Sequence, residues 1–448
     1  MAVRKKVRGT GSVSGRRLVK VLDVTEFYSE RGGGVRSHMG LKSHVLCQLG
    51  HQHVVVAPGA RDEEYGAEER GDAGGRLPRP LGSARVIRVA GPASPYDPTY
   101  HLLLRFDKIA GIVARERPDV LEVHSPYLAA LGVMRAKRAH YGIRTFQWHS
   151  DFIDTYAGVL GGRLSRDLPM LGPRAWSRGI ALGTRPLWGL VRSIARRCDA
   201  TLVAADWQVA KLTEHGVPRV VRVPFGIERA VFRADARSYE GRRELLALAS
   251  HDARHDDAVI LVGVGRFAVE KRWDVVIDAF LRLRARDPQR DMILVLIGDG
   301  PERERMTARA AGSPDIVMPG FVKDREALAR MLASADALVH GCPFETFGLS
   351  IAEAMSCGLP TIVPDEGGAS EMHVPAAGER YRALDVDDCV RATERLLARL
   401  AEDAEGVRAA AVAAASRLPD VVQQFEGQIA LYQKLLDGAS RLPGGREA

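Results

Sequence analysis

Two glutamates carry the strongest chemical signal in this chain. They flank a short run, Glu345-Thr-Phe-Gly-Leu-Ser-Ile-Ala-Glu353, that follows a buried apolar segment at 337–340 and precedes another at 361–363. The pattern predicts a strand, a loop bearing Glu345, a helix from about Gly348, and a second strand. Thr346 is expected to be the N-cap, leaving the amides of Phe347, Gly348 and Leu349 as open donors at the positive end of a helix dipole. Such an end attracts a phosphate, or a sugar attached to one. A carboxylate beside it suits a neutral polyol better than a second anion. Glu353 lies roughly 12 Å further on by helical rise, so the two glutamates would touch opposite ends of an elongated ligand. A sugar–diphosphate–nucleoside has that shape.

Other candidate groups sit where strands give way to helices. Arg266 and Lys271, in Gly263-Val-Gly-Arg-Phe-Ala-Val-Glu-Lys271, follow an apolar strand and can neutralise a diphosphate, one by a planar fork and the other as a point charge. Gly33 and Gly34, in Gly32-Gly-Gly-Val-Arg-Ser-His38, open the first helix and permit close backbone approach to phosphate. A tight structural turn is the alternative for the glycines alone. The run lacks G-x-G-x-x-G spacing, and Ala57-Pro58 replaces the acidic residue that would close a dinucleotide site. His149 and His124 stand just past the ends of neighbouring strands, with His149 favoured as functional. The polar run holding His251, Asp252, His255, Asp256 and Asp257 has no convincing ligand spacing and reads as a loop. The carboxylates of Asp385-Val-Asp-Asp388 are expected to cap the helix that follows.

These residues need a scaffold that brings distant strand ends together. Short Val/Ile/Leu-rich strands alternate with helical segments through 18–223, and the pattern restarts at 258, which predicts two parallel sheets covered on both faces. The expected fold class is α/β: two doubly wound, Rossmann-like domains facing an interdomain cleft. Boundaries follow: a disordered basic tail over 1–17, an acceptor-side domain over 18–225, and a nucleotide-sugar domain over 226–420. A helix over 421–437 could cross back to the first domain, and 438–448 reads as a disordered tail.

Bulk properties narrow the partners. The 448 residues carry a formal charge of +8, which favours anionic ligands, while basic–aromatic runs of the RNA-binding type are absent. Nucleic acid is therefore not expected. Five scattered cysteines form no CxxC, the N-terminus has no apolar signal core, and no long apolar run could span a membrane. The expectation is a cytoplasmic protein. The basic, apolar insertion over 156–197 holds eight arginines and one acid, Asp167, along with Trp176 and Trp188. It suits peripheral contact with an anionic membrane at the inner face, or equally a helix packed on the first domain.

Taken together, the motifs resemble those of the retaining glycosyltransferases of family 4, which have a GT-B fold. The likeness covers 19–436 and is most specific at Glu345 to Glu353 and the following Ala354-Met-Ser-Cys-Gly-Leu-Pro360. The 146–149 and 185–188 runs are similar to a lipid-directed branch that includes GDP-mannose-dependent α-mannosyltransferases and sulfoquinovosyl-diacylglycerol synthase. The resemblance implies that Gly33 and Gly34 approach the diphosphate, that Arg266 and Lys271 bind it, and that Glu345 holds the sugar together with the Phe347, Gly348 and Leu349 amides. It also implies ribose contact by Glu353, a base flanked by Phe321 and Val322, His149 beside the hexose, and Arg36 and His124 on the acceptor side. This chain departs from many relatives in having Phe225 in the interdomain turn and Arg36 in place of a common Gln.

The implied reaction moves a hexose such as mannose or glucose from a nucleotide diphosphate sugar to a hydroxyl of a lipid or glycan, with no metal cofactor. Glu345 and Glu353 are too far apart along the chain for the paired carboxylates of a covalent retaining mechanism. Front-side displacement is expected instead, with the leaving diphosphate taking the acceptor's proton. A nucleotide-sugar hydrolase or epimerase on the same scaffold is the alternative.

Overall fold

Apolar runs and the helices between them assemble into two sheets, and the sites of interest lie where those sheets face each other. The structure, a computed structural model, describes residues 17–28, 34–66, 83–95, 99–124, 126–149, 151, 153, 173–249 and 257–440. Gly33, most of the N-terminal tail, the first part of the 156–197 segment, the side chain of Trp176, His251, Asp252, His255, Asp256 and the tail from 441 lie outside what it describes.

The first sheet contains β1 (Lys20–Val24), β2 (Gln52–Gly59), β3 (Glu63–Gly66), β4 (Ser83–Ala90), β5 (Val120–Val123), β6 (Ile143–Gln147), β7 (Ala200–Val203) and β8 (Val220–Arg222). Their spatial order is 3-4-2-1-5-6-7-8. Every pairing is parallel except the edge pair β3 with β4. The second sheet contains β9 (Val259–Val264), β10 (Met292–Ile297), β11 (Ile316–Gly320), β12 (Ala337–Val339), β13 (Thr361–Pro364) and β14 (Gly378–Tyr381), in the order 11-10-9-12-13-14. The winding direction reverses between β1 and β5 and again between β9 and β12, and ligands of open α/β sheets bind at such switch points. The arrangement is the pair of Rossmann-like units typical of the GT-B fold.

Both faces of the second sheet are buried in apolar layers. Ile260, Val262 and Val295 pack on one side, while Leu261, Leu294 and Leu296 pack on the other. The first sheet is different. Leu22, Val54 and Leu121 point into an apolar layer, but the alternate residues Asp23, His53 and Glu122 point into the other layer and are fully enclosed.

That second layer is closed by the helix Gly34–Gln48 and by the last described helix, Val421–Ser440. Ile429, Tyr432 and Leu436 of the latter pack against Val21, Val120 and Ile143 of the first sheet. The chain crosses between the halves twice, side by side. Ile227 donates its amide to the Pro419 oxygen and accepts from the Val421 amide, at 3.0 and 3.1 Å. Gly226 is required here, because a Cβ would sit 2.5 Å from the Asp420 oxygen.

Candidate active site

The second half contributes a charged cluster at the ends of β9 and β12. Lys271 sits in a 3-10 turn, Val269–Lys271, and its Nζ lies 2.6 Å from Glu345 Oε2. His340, at the end of β12, places Nε2 3.3 Å from the same oxygen. Gly341 lets the two loops touch, since a Cβ there would be 2.7 Å from the Lys271 oxygen. Burial works against charge on both partners, yet the attraction prevails. Glu345 is held well below the usual carboxylate range by Lys271 and His340, and Lys271 is raised by Glu345. Glu345, His340 and Cys342 lie close enough to suggest a metal site, but the Lys271 ammonium already supplies the cation there.

The helix after Glu345 begins differently from the expectation. It runs Leu349–Ser356, its N-cap is Gly348 at φ 92° and ψ 45°, and no side chain caps it. Thr346 is therefore not the N-cap. Its hydroxyl donates instead to the His149 main-chain oxygen of the first half, over 3.0 Å. The Phe347 ring is buried in the core, so only its backbone can face a ligand. Amides of Phe347, Gly348 and Leu349 have no backbone acceptor among the described residues.

Glu353 is on the same helix but has its own partner. Arg325 donates to Glu353 at 3.0 Å and to Glu228 at 2.8 Å. Burial still raises the Glu353 pKa despite Arg325. The ring of Phe321 is 53% exposed, whereas Val322 packs against the core. Arg266 reaches across to the first half, its guanidinium 5.4 Å from the centre of the Tyr100 ring.

On the first half, His149 follows β6 and stacks on Phe225 at 15° and 5.9 Å. Phe225 in turn meets Phe347 edge-on at 5.4 Å and touches His38 at 5.0 Å. The Phe in the interdomain turn is thus an aromatic joint between the halves. Burial and the neighbouring His124 hold His149 neutral, well below its ordinary pKa. Burial also pushes His38 down to about 3. Gly34 starts the first helix, and Arg36 on that helix stacks over Tyr28 at 5.4 Å.

His124 is only 1% exposed and stands behind His149, with Nδ1 2.6 Å from His149 Nε2. Enclosed in this way, the His124 ring has no open side for an acceptor, contrary to the expectation.

Two more contacts tie the halves together beside this cluster. The Trp207 indole donates to the Thr346 oxygen at 3.0 Å. Glu371 accepts from the amides of Asp206 and Trp207, both at 3.0 Å, at the positive end of the helix Asp206–Glu214. The structure therefore brings Lys271, Glu345 and the helix start next to His149. It sets Glu353 apart with Arg325. Sequence reasoning missed His340, Arg325, Trp207 and Glu371. The first could have been found from its position at a strand end, the rule that located His149. The others act through long-range contacts with no local signal.

The chain is similar to two known families and to several known proteins. A family described as Glycosyltransferase Family 4 matches residues 32–231, and one described as Glycosyl transferases group 1 matches residues 258–399. The chain is 29% identical over 362 residues to a GDP-mannose-dependent alpha-(1-6)-phosphatidylinositol dimannoside mannosyltransferase of Mycobacterium tuberculosis, covering 80% of this chain and 83% of that protein. It is 26% identical to a sulfoquinovosyl transferase of Arabidopsis thaliana over 72% of this chain and 58% of the plant protein. Among solved structures, a sucrose-phosphate synthase from Thermosynechococcus elongatus superposes with a TM-score of 0.69 at 18% identity, covering 94% of this chain and all of that one.

Proposed function

We propose that this chain, which belongs to glycosyltransferase family 4, transfers mannose from a nucleotide diphosphate donor to a hydroxyl of a membrane lipid. That it is a GT-B hexosyltransferase moving a sugar from a nucleotide-sugar donor to an acceptor follows from its family. The single observation in the structure that supports sugar transfer at this site is the Lys271–Glu345 pair set against His149 through Thr346. It supplies a cation for a leaving phosphate, a carboxylate for sugar hydroxyls and a neutral imidazole, all at the mouth of one helix. Mannose and a lipid are favoured because the bacterial relative is named for GDP-mannose and a phosphatidylinositol mannoside.

The reaction proceeds by front-side displacement. The bond between the anomeric carbon and the β-phosphate oxygen breaks as the acceptor oxygen bonds to the same face. The acceptor's proton passes to the departing phosphate oxygen. Lys271 and Arg266 neutralise the charge growing on that phosphate, the kind of preorganised stabilisation that contributes most in enzyme sites. The sugar keeps its anomeric configuration without a covalent enzyme intermediate, in accord with the separate partners of Glu345 and Glu353.

A membrane acceptor is further supported by the helix Pro173–Arg196. Trp188 and Val191 are buried, while Leu182, Leu187 and Leu190 are 63%, 40% and 41% exposed among arginines such as Arg185. Apolar side chains interspersed with cations suit an anionic lipid interface. No helix among the described residues is long and apolar enough to cross a membrane. The deciding test is a panel of GDP-, UDP- and ADP-sugars incubated with lipid extracts, scored for glycolipid and for free sugar. Mannolipid formed from GDP-mannose supports the reading. Free sugar without glycolipid, whatever the donor, overturns it in favour of hydrolysis.

A further inference from the structure

Behind His149 lies a chain of enclosed polar groups that the transfer reaction does not itself require. His124 bridges His149 to Asp23 and Glu122, its Nε2 being 3.4 Å from Asp23 Oδ2 and 3.5 Å from Glu122 Oε1. All three residues are 1% exposed or less. Both carboxylates are already well supplied with donors. Lys42 donates to each, His53 is hydrogen-bonded to Asp23 at 2.8 Å, and Thr145 and Tyr432 donate to Glu122.

Those carboxylates decide where the protons lie. Lys42 holds Asp23 ionised against the effect of burial, and His124 Nε2 faces Asp23 and Glu122 without a close hydrogen bond to either. A lone pair there would be repelled by both, which favours a proton on Nε2. An imidazolium would draw a carboxylate in to about 2.7–2.9 Å. At 3.4 and 3.5 Å, Nε2 lies between two carboxylates already satisfied by other donors and forms a close ion pair with neither. His124 Nδ1 then has a lone pair, and the 2.6 Å contact needs a proton from His149 Nε2. In neutral His149 the remaining nitrogen, Nδ1, is directed away from His124 and carries no proton.

We propose that His124 is a positioning residue that fixes the tautomer of His149, so that His149 Nδ1 meets a sugar or acceptor hydroxyl as a hydrogen-bond acceptor. The functional half of this statement rests on the transferase reading above; the tautomer does not. A histidine's free nitrogen is commonly set in this way by the bond its other nitrogen makes.

The test measures the two parts separately. Long-range proton–nitrogen NMR on the full chain labelled at histidine nitrogen reads the tautomer directly, with His149 assigned by the spectrum of His149→Gln. The expected result is His149 protonated at Nε2 in the wild-type protein. Protonation at Nδ1 would overturn the proposal, because it would put the shared proton on His124. For function, His124→Asn keeps an oxygen near the place of Nδ1, and His124→Gln does not. His124→Asn should retain kcat within about threefold, while His124→Gln should lose about tenfold in kcat with KM little changed, the size of one hydrogen bond. Equal kcat in the two variants would defeat the positioning role. If no sugar donor is turned over at all, the function fails and the NMR result still judges His124 alone.

Discussion

Thr346 and His149 meet across the cleft, the threonine hydroxyl donating to the histidine main-chain oxygen over 3.0 Å. The residue directly after Glu345, the carboxylate proposed to hold the sugar, is thereby joined to the residue expected beside the hexose. Small relative movements of the two sheets must break or stretch this bond. Thr346→Val preserves shape and removes the donor, at a net cost of about 0.5–1.5 kcal/mol. Donor KM should rise about fivefold while kcat changes little. An unchanged KM would mean that the contact is incidental to donor binding.

Lys271 should matter most to turnover. Lys271→Ala leaves the leaving phosphate with one cation fewer and strands Glu345 in a nearly enclosed place, with 15% of its side chain exposed. Steady-state kinetics should show kcat reduced on the order of a hundredfold or more, as for loss of one charge-stabilising donor. Turnover near the wild-type value would remove Lys271 from the mechanism.

The same pair makes a prediction about stability. Glu345 has a folded pKa below its ordinary 4.5, so its contribution is complete above that value and is lost as pH falls toward the folded one. Lys271 is shifted above its ordinary 10.5, so its contribution is complete below that and lost only as pH rises past its folded pKa. Urea unfolding of wild type and Glu345→Gln should therefore differ by a constant amount from about pH 5 to 9 and converge in stronger acid. A difference that changes steadily across neutral pH would contradict the pairing.

His38 supplies the opposite end of the acid response. Burial depresses its pKa from 6.5 to about 3, so the folded state loses stability as pH drops below 6.5 and the unfolded chain takes up the proton. His38→Phe should flatten the fall in unfolding free energy between about pH 6.5 and 3 by up to one proton's worth of slope. Identical slopes in the two proteins would mean that His38 is solvated and charged in the fold.

The family and the two-sheet fold were legible because their signals are local. β9 and β10 are unbroken apolar runs, and Glu345 to Glu353 is a contiguous motif. β3 and β14 were not legible. Each is a four-residue edge strand, Glu-Glu-Tyr-Gly and Gly-Glu-Arg-Tyr, whose one large buried side chain, Tyr65 or Tyr381, cannot alone set a period. The N-cap expected of Thr346 gave way to a tertiary contact 197 positions away along the chain. The strand-end rule also placed His124 correctly along the chain but could not tell the front of the cleft from the layer behind it.

The helix Val421–Ser440 gives the protein an unusual order of assembly. Tyr432 and Gln428 complete the hydrogen bonding around Glu122, and Ile429 and Leu436 cover Val21 and Ile143. All of these partners are synthesised long before the helix leaves the ribosome. Until it arrives, the earliest strands must stand with an enclosed-to-be carboxylate and an apolar face open to water, a state that invites misfolding. The half made first is the half finished last, so synthesis of this enzyme should be most vulnerable in its middle stretch, when the second sheet is forming and the first is still uncovered.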